Sequence, residues 1–131
     1  MAARVMPSHE AAGRVRGAHE VVRQSSTRAV LRWLRGRPDL SELGAGTTRP
    51  ETAAARVLGR IAIRRVLLDA GMPQAELPAL SEIGIAPDGF GRPVVRLPAR
   101  TADWMRSRRL GLDLSLAHAG HRLLAVALAA P

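Results

Sequence analysis

The chain contains no lysine, no cysteine and no tyrosine, and its only aromatic side chains are Trp33, Phe90 and Trp104. Each absence removes a class of function. Without cysteine there are no disulfides, thiolate metal sites or thiol nucleophiles. Three aromatics leave little to stack a nucleic-acid base on, and neither a lysine-bearing glycine loop nor zinc-finger spacing occurs, so nucleic acid is disfavoured as a partner. Long apolar runs are missing too: the most apolar stretch, residues 123–130, falls far below the roughly 20 residues of a membrane-spanning helix. The opening MAARVMPSHEAAGR carries charge but no apolar run of signal-peptide length. The expectation is a soluble cytoplasmic protein with no membrane partner.

What is present is enough for one domain with one modest core, 131 residues of which 47% are hydrophobic. The net charge is +9 and every basic residue is arginine. A coding bias toward arginine explains part of this. The rest reads as a positive face for an anionic partner, because the guanidinium fork matches phosphate and carboxylate. An acidic protein or a phosphorylated cofactor fits that charge.

Residues 1–8 read as a loose tail. From residue 10 to about 35, Ala11, Val15, Ala18, Val22, Ala29, Leu31 and Leu34 recur at three-to-four spacing, which predicts a helix. Residues 24–27 are a break within it, and Gly36-Arg37-Pro38 ends it. Residues 38–50 read as a loop. A second helix follows, with Thr48 as its cap, Pro50 at its first position and Glu51 near its positive end. Val57, Leu58, Ile61, Ala62 and Leu68 give it an apolar face, Arg56, Arg60 and Arg64 a basic stripe, and Gly71 its end.

Beyond Gly71 the period shortens. Strands are expected at residues 80–86, 94–97, 112–116 and 122–129, with a turn at Asp88-Gly89-Phe90-Gly91 and one or two helical turns at 100–109. The last two strands read as a hairpin with a broad turn at 117–121. The fold class is α+β, helices packed on one face of a small, largely antiparallel sheet. If residues 123–128 of the terminal strand sit at a sheet edge, they offer unpaired backbone and side chains to another chain.

His118 is the one residue in this pattern whose chemistry stands out. In a turn after a strand it could hold phosphate, transfer a proton or cap the turn. Asp113 and Ser115 share a strand face, and Ser115, three residues before the histidine, does not define an activated nucleophile pair.

Several segments together resemble the surfactin-type 4'-phosphopantetheinyl transferases, two-lobed enzymes. Residues 59–67, GRIAIRRVL, are similar to their first-lobe "RALLRRVL" helix, and Gly71-Met72-Pro73-Gln74-Ala75-Glu76-Leu77 to their "G-x-x-P-A-E-L" bend. Gly91-Arg92-Pro93 resembles "G-K/R-P", residues 114–120 resemble "F-N-L-S-H-S/T-G", and residues 123–129 the "LALVAVA" strand. The match covers residues 50–131, with 1–49 as a helical lead-in, and corresponds to the N-terminal lobe of such an enzyme. The resemblance implies one phosphopantetheinyl-transferase-like lobe that uses coenzyme A and an acidic acyl or peptidyl carrier protein, with Arg92 and His118 contacting the nucleotide end. Arg60 and Arg64 are further candidates for phosphate or carrier contacts.

The departures from that family are chemical. The signature serine is Ala117, and the "V-G-V-D-x-E" segment and the later "x-x-K-E" helix have no counterpart. In the single-lobe carrier-protein synthases the helix motif is "G-R-x-A-x-K-E-A"; here Arg64 replaces the lysine and Arg65 the metal-binding glutamate. Mg²⁺ takes oxygen ligands, so this chain alone is not expected to bind it. Three readings stay open: a transferase lobe completed by a second lobe, a degenerate accessory subunit or repurposed biosynthetic enzyme, and a basic binding module. For a repurposed enzyme the proton-transfer candidates are His118, Asp113, His121, Glu51 and Asp103. A homo-oligomer is expected from the apolar terminal strand.

Overall fold

The computed structural model describes residues 17–44 and 49–131. The expected tail, the first part of the first predicted helix and the Thr48 cap lie outside the described residues. The order is β1 (His19–Ser26), α1 (Thr27–Arg35), a 3-10 segment (Pro38–Gly44), α2 (Pro50–Asp69), β2 (Gly84–Pro87), β3 (Pro93–Arg96), α3 (Ala99–Ser107), β4 (Gly111–Ala119) and β5 (Arg122–Ala130). Strands β1, β5 and β4 form one antiparallel sheet in that order, and β2 and β3 form a separate two-stranded ribbon. The α+β class holds. No helix among the described residues is long and apolar enough to cross a membrane.

The largest difference from expectation is β1. The three-to-four spacing of Val15, Ala18 and Val22 reads as helix, yet residues 19–26 pair with β5 from His19 opposite Ala129 to Ser26 opposite Arg122. The helix begins only at Thr27, where the Ser26 hydroxyl accepts the Ala29 N–H at 3.1 Å, a hydroxyl cap that fixes the boundary. The break expected at residues 24–27 is therefore the true start of α1.

This strand relocates β5. Flanked by β1 and β4, β5 is the centre of the sheet rather than its edge, which suits its nearly unbroken apolar sequence. The 117–121 turn is also tighter than expected: Ala119 pairs with Arg122, and Gly120, at φ 59°, and His121 make the connection. The strand expected at 80–86 begins only at Gly84, after a 3-10 turn at Leu80–Glu82.

Helix α2 covers the sheet and forms the core. Pro50 at its start gives up no needed N–H, and Gly71, at φ 105°, turns the chain away. Val57, Ile63, Val66 and Leu67 are wholly buried on it, each contributing roughly 1.5–3 kcal/mol by burial. Against them lie Leu114 of β4 and Leu123, Ala125, Ala127 and Ala129 of β5. Those four β5 residues alternate with Leu124, Val126 and Leu128, whose side chains point to the other face, away from α2. Small alanines on the inner face let the helix approach closely. Gly59 marks a point of close approach: a Cβ there would sit 3.0 Å from Leu116, 3.1 Å from Ile85 and 3.3 Å from Leu114.

Candidate functional site

Strand alternation decides which β4 side chains share a site. Leu114, Leu116 and His118 project to the α2 side of the sheet, while Asp113 and Ser115 project to the opposite side. His118 and Asp113, both proton-transfer candidates, therefore lie on opposite faces of β4 and do not share a site. The Asp113 carboxylate accepts the N–H of Leu114 at 3.0 Å.

His118 ends the inner row, exposed, at the mouth of a cleft of about 180 Å³. Three separate pieces of chain build that cleft. The first turns of α2 give Thr52, Ala55 and Arg56; the β2–β3 hairpin gives Ile85, Gly91 and Pro93; β4 gives Leu116 and His118. The hairpin is set by Asp88, whose Oδ1 accepts the N–H groups of Phe90 at 2.7 Å and Arg92 at 2.9 Å. Gly91 takes φ 80° inside this turn, a conformation that glycine alone adopts without strain. Arg92 is exposed between two residues that line the cleft, and Phe90 at the hairpin tip is 89% exposed.

The arginines of α2 fan out along the helix. Arg56 faces the His118 cleft. Arg60, expected to bind cofactor, is buried instead, its Nε donating to the Ile83 carbonyl at 2.8 Å. Burial first, and the charge of Arg56 second, hold its pKa below the ordinary guanidinium value. Arg64 donates from Nε to the Pro78 carbonyl at 2.8 Å and lines a different cleft. Both arginines clamp the 78–83 segment to the helix, and neither lines the His118 cleft. Arg65 pairs with Asp69 at 3.0 Å, one turn along.

Other proton-transfer candidates scatter. Asp103 is exposed on α3, and Glu51 lies in the first turn of α2. His121 is exposed in the β4–β5 turn, where its carbonyl accepts the Thr27 N–H at 2.8 Å and ties the hairpin to the start of α1. Arg56 is the residue that sequence reasoning placed in a stripe without seeing its site. Its signal was its place in the first turns of α2, where the positive helix end adds to the guanidinium charge.

Chemically, the cleft offers Arg56, His118, the positive end of a 20-residue helix and apolar walls. That combination holds an anion. It does not fit Mg²⁺. No carboxylate lines the cleft, and among the described residues no three His, Cys, Asp or Glu side chains cluster to hold a metal ion.

No protein-family model matches the chain, and no curated protein matches its sequence. Solved structures do match. The holo-[acyl-carrier-protein] synthase of Neisseria meningitidis aligns with a TM-score of 0.66 at 18% identity, over 86% of this chain and 97% of its own. The ACPS–CoA complex of Chronobacterium ammoniagenes gives 0.68 at 22% identity, over 86% and 96%. The Helicobacter pylori synthase in complex with coenzyme A gives 0.65 at 16%, over 86% and 100%. The likeness spans nearly the whole of each synthase chain, and at these identities it is a likeness of fold. The chain has the α+β fold of the 4'-phosphopantetheinyl transferase superfamily, in the form of the holo-acyl-carrier-protein synthases.

Proposed function

We propose that this chain binds the phosphate-bearing nucleotide end of coenzyme A in the cleft of Arg56, His118 and the Gly91–Pro93 turn, and works with an acidic acyl or peptidyl carrier protein as a phosphopantetheinyl-transferase-related protein. The observation that carries the reading is the convergence of those three segments on one cationic cleft, in a fold whose solved examples include coenzyme A complexes. Arg56 and the helix end supply fixed positive charge to a pyrophosphate. His118 donates a hydrogen bond to it or carries a proton at the cleft mouth. Arg92 reaches the same phosphates from the hairpin, and Phe90 offers an aromatic face beside them.

The carrier is read from charge. Helix α1 exposes Arg28, Arg32 and Arg35, with Arg37 just beyond it, a basic surface suited to an acidic protein helix. Self-association is the route by which a small lobe would be completed, in place of a second lobe. Its support is the outer sheet face, where Val22 is 39% exposed and Leu124 and Leu128 are half-buried. The face of β5, rather than its edge, is then the contact. Sedimentation at micromolar concentration tests this, and a persistent monomer counts against it.

A second reading, a repurposed member acting on a carrier-bound or small-molecule substrate, is favoured by one observation, the lack of carboxylates lining the cleft. Calorimetric titration with coenzyme A is the test of the shared site. Saturable binding is expected, weakened about tenfold or more by His118→Ala or Arg56→Ala, the worth of one charge-assisted hydrogen bond. Binding indifferent to both changes refutes the site. Mass spectrometry of an apo carrier incubated with coenzyme A and Mg²⁺ then separates the readings: a gain of the phosphopantetheine mass supports transfer, and none supports repurposing.

A further inference from the structure

A second cleft opens about half a turn around α2 from the first, given 100° per residue. It has a volume of about 340 Å³, within the size range of small-ligand sites. Its cationic lining comes from Arg23 of β1 and from Arg64 and Arg65 of α2; its apolar walls are Trp33, Ile61, Leu68, Leu77 and Leu80.

The charge there is not balanced. Arg65 is paired with Asp69. Arg64 spends only Nε, and on a neutral carbonyl, so its two terminal nitrogens remain available. Arg23 has no carboxylate partner among the described residues. A fourth guanidinium, that of Arg37, lies 4.0 Å from the centroid of the Trp33 ring, though it does not itself line the cleft. Two uncompensated cations against apolar walls repel one another, and that repulsion is relieved by an anion. A phosphate monoester carries close to two negative charges and three acceptor oxygens, which matches two guanidinium forks better than a single carboxylate would. The aliphatic walls beside the arginines specify what the phosphate is attached to.

We propose that this cleft binds the phosphate of an aliphatic phosphate monoester through Arg23, Arg64 and Arg65 directly, without a divalent cation, with the alkyl chain along Ile61, Leu68 and Leu77. The arginines do the charge neutralisation that a metal would otherwise do.

Octyl phosphate is the probe, titrated calorimetrically into the full chain, with octanol and inorganic phosphate as the chain-only and head-only controls. The expected result is one saturable site per chain, unchanged by EDTA or added Mg²⁺. Each control should bind at least about tenfold more weakly. Arg23→Gln should weaken octyl phosphate about tenfold or more, the worth of a lost charge-assisted hydrogen bond, while keeping the parent melting temperature. If that variant does not fold, Arg65→Gln replaces it. The proposal is overturned by absence of saturable binding, by binding that needs Mg²⁺, by octanol binding as well as octyl phosphate, or by indifference to the arginine change. A chain that takes octyl phosphate but not coenzyme A keeps this inference and loses the nucleotide cleft.

Discussion

Gly59 sets how closely α2 can lie on the sheet, and enlarging it is the sharpest test of the packing. Two effects compete. Replacing a mid-helix glycine by alanine gains about 1 kcal/mol of helix propensity, and leucine gains nearly as much. The added Cβ meets Leu116, Ile85 and Leu114 at 3.0, 3.1 and 3.3 Å. One methyl there asks three methyl groups to give by a few tenths of an ångström, at a cost of about 1 kcal/mol, so Gly59→Ala should come out within about 1 kcal/mol of the parent. Gly59→Leu drives three more carbons into the same space. Overpacking of that size costs about 3 kcal/mol or more, leaving a net loss of about 2 kcal/mol. With an unfolding entropy of about 2.1 cal/mol/K per residue over 131 residues, that corresponds to a fall in melting temperature of about 7 °C. Differential scanning calorimetry of the two variants is the measurement. A leucine variant as stable as the alanine one would refute the close approach of α2 to β4 and β2. Because Leu116 and Ile85 also line the His118 cleft, the alanine variant should weaken coenzyme A more than it lowers stability.

Three further outcomes are expected. Glu82 is held at a pKa of about 2, from an ordinary 4.5, first by the Arg100 guanidinium bonded to it at 2.8 and 3.0 Å and then by the Ala79 N–H. Since the folded pKa is the lower one, its stabilisation is present above pH 4.5 and disappears as pH falls toward 2; the gap in melting temperature between parent and Glu82→Gln should close over that window and shrink with salt. Ser26→Ala removes the hydroxyl cap of α1 and should cost about 1 kcal/mol in urea denaturation. Asp88→Ala frees two hairpin N–H groups and should cost about 1–2 kcal/mol in the same assay, with weaker coenzyme A binding as Arg92 and Pro93 lose their fixed position.

How far the sequence discloses this molecule depends on how local each signal is. Helix α2 is legible because Pro50 and the apolar repeat lie within it and Gly71 follows directly on its C-cap. The β2–β3 turn is legible because Asp88 and Gly91 do the turning themselves. Strand β1 is not, because its partner lies about a hundred residues away: Val21 is its only buried hydrophobic residue, and nothing near it in sequence announces β5. The same gap hid the central place of β5. The site divides along the same line. His118 and the Gly91–Pro93 turn were visible as motifs and do line one cleft. The burial of Arg60 and the anchoring of Arg64 depend on the carbonyls of Ile83 and Pro78, acceptors that every residue carries and no motif marks. Arg23 was hidden with its strand.

The central position of β5 also bears on how the chain comes off the ribosome. Both β1 and β4 find their hydrogen-bond partner only in residues 122–130, so no two strands of the main sheet can pair until synthesis has reached that segment. Until then α2 has no sheet to lie on, and its buried face is left to the solvent or to a chaperone. Closing β1 onto β5 spans most of the described chain, a non-local contact that slows folding. Formation of the main sheet is thus a late event that waits for residues 122–130, not a growth from the amino terminus, and nascent chains halted before residue 122 should be degraded by a protease that spares chains carrying that segment.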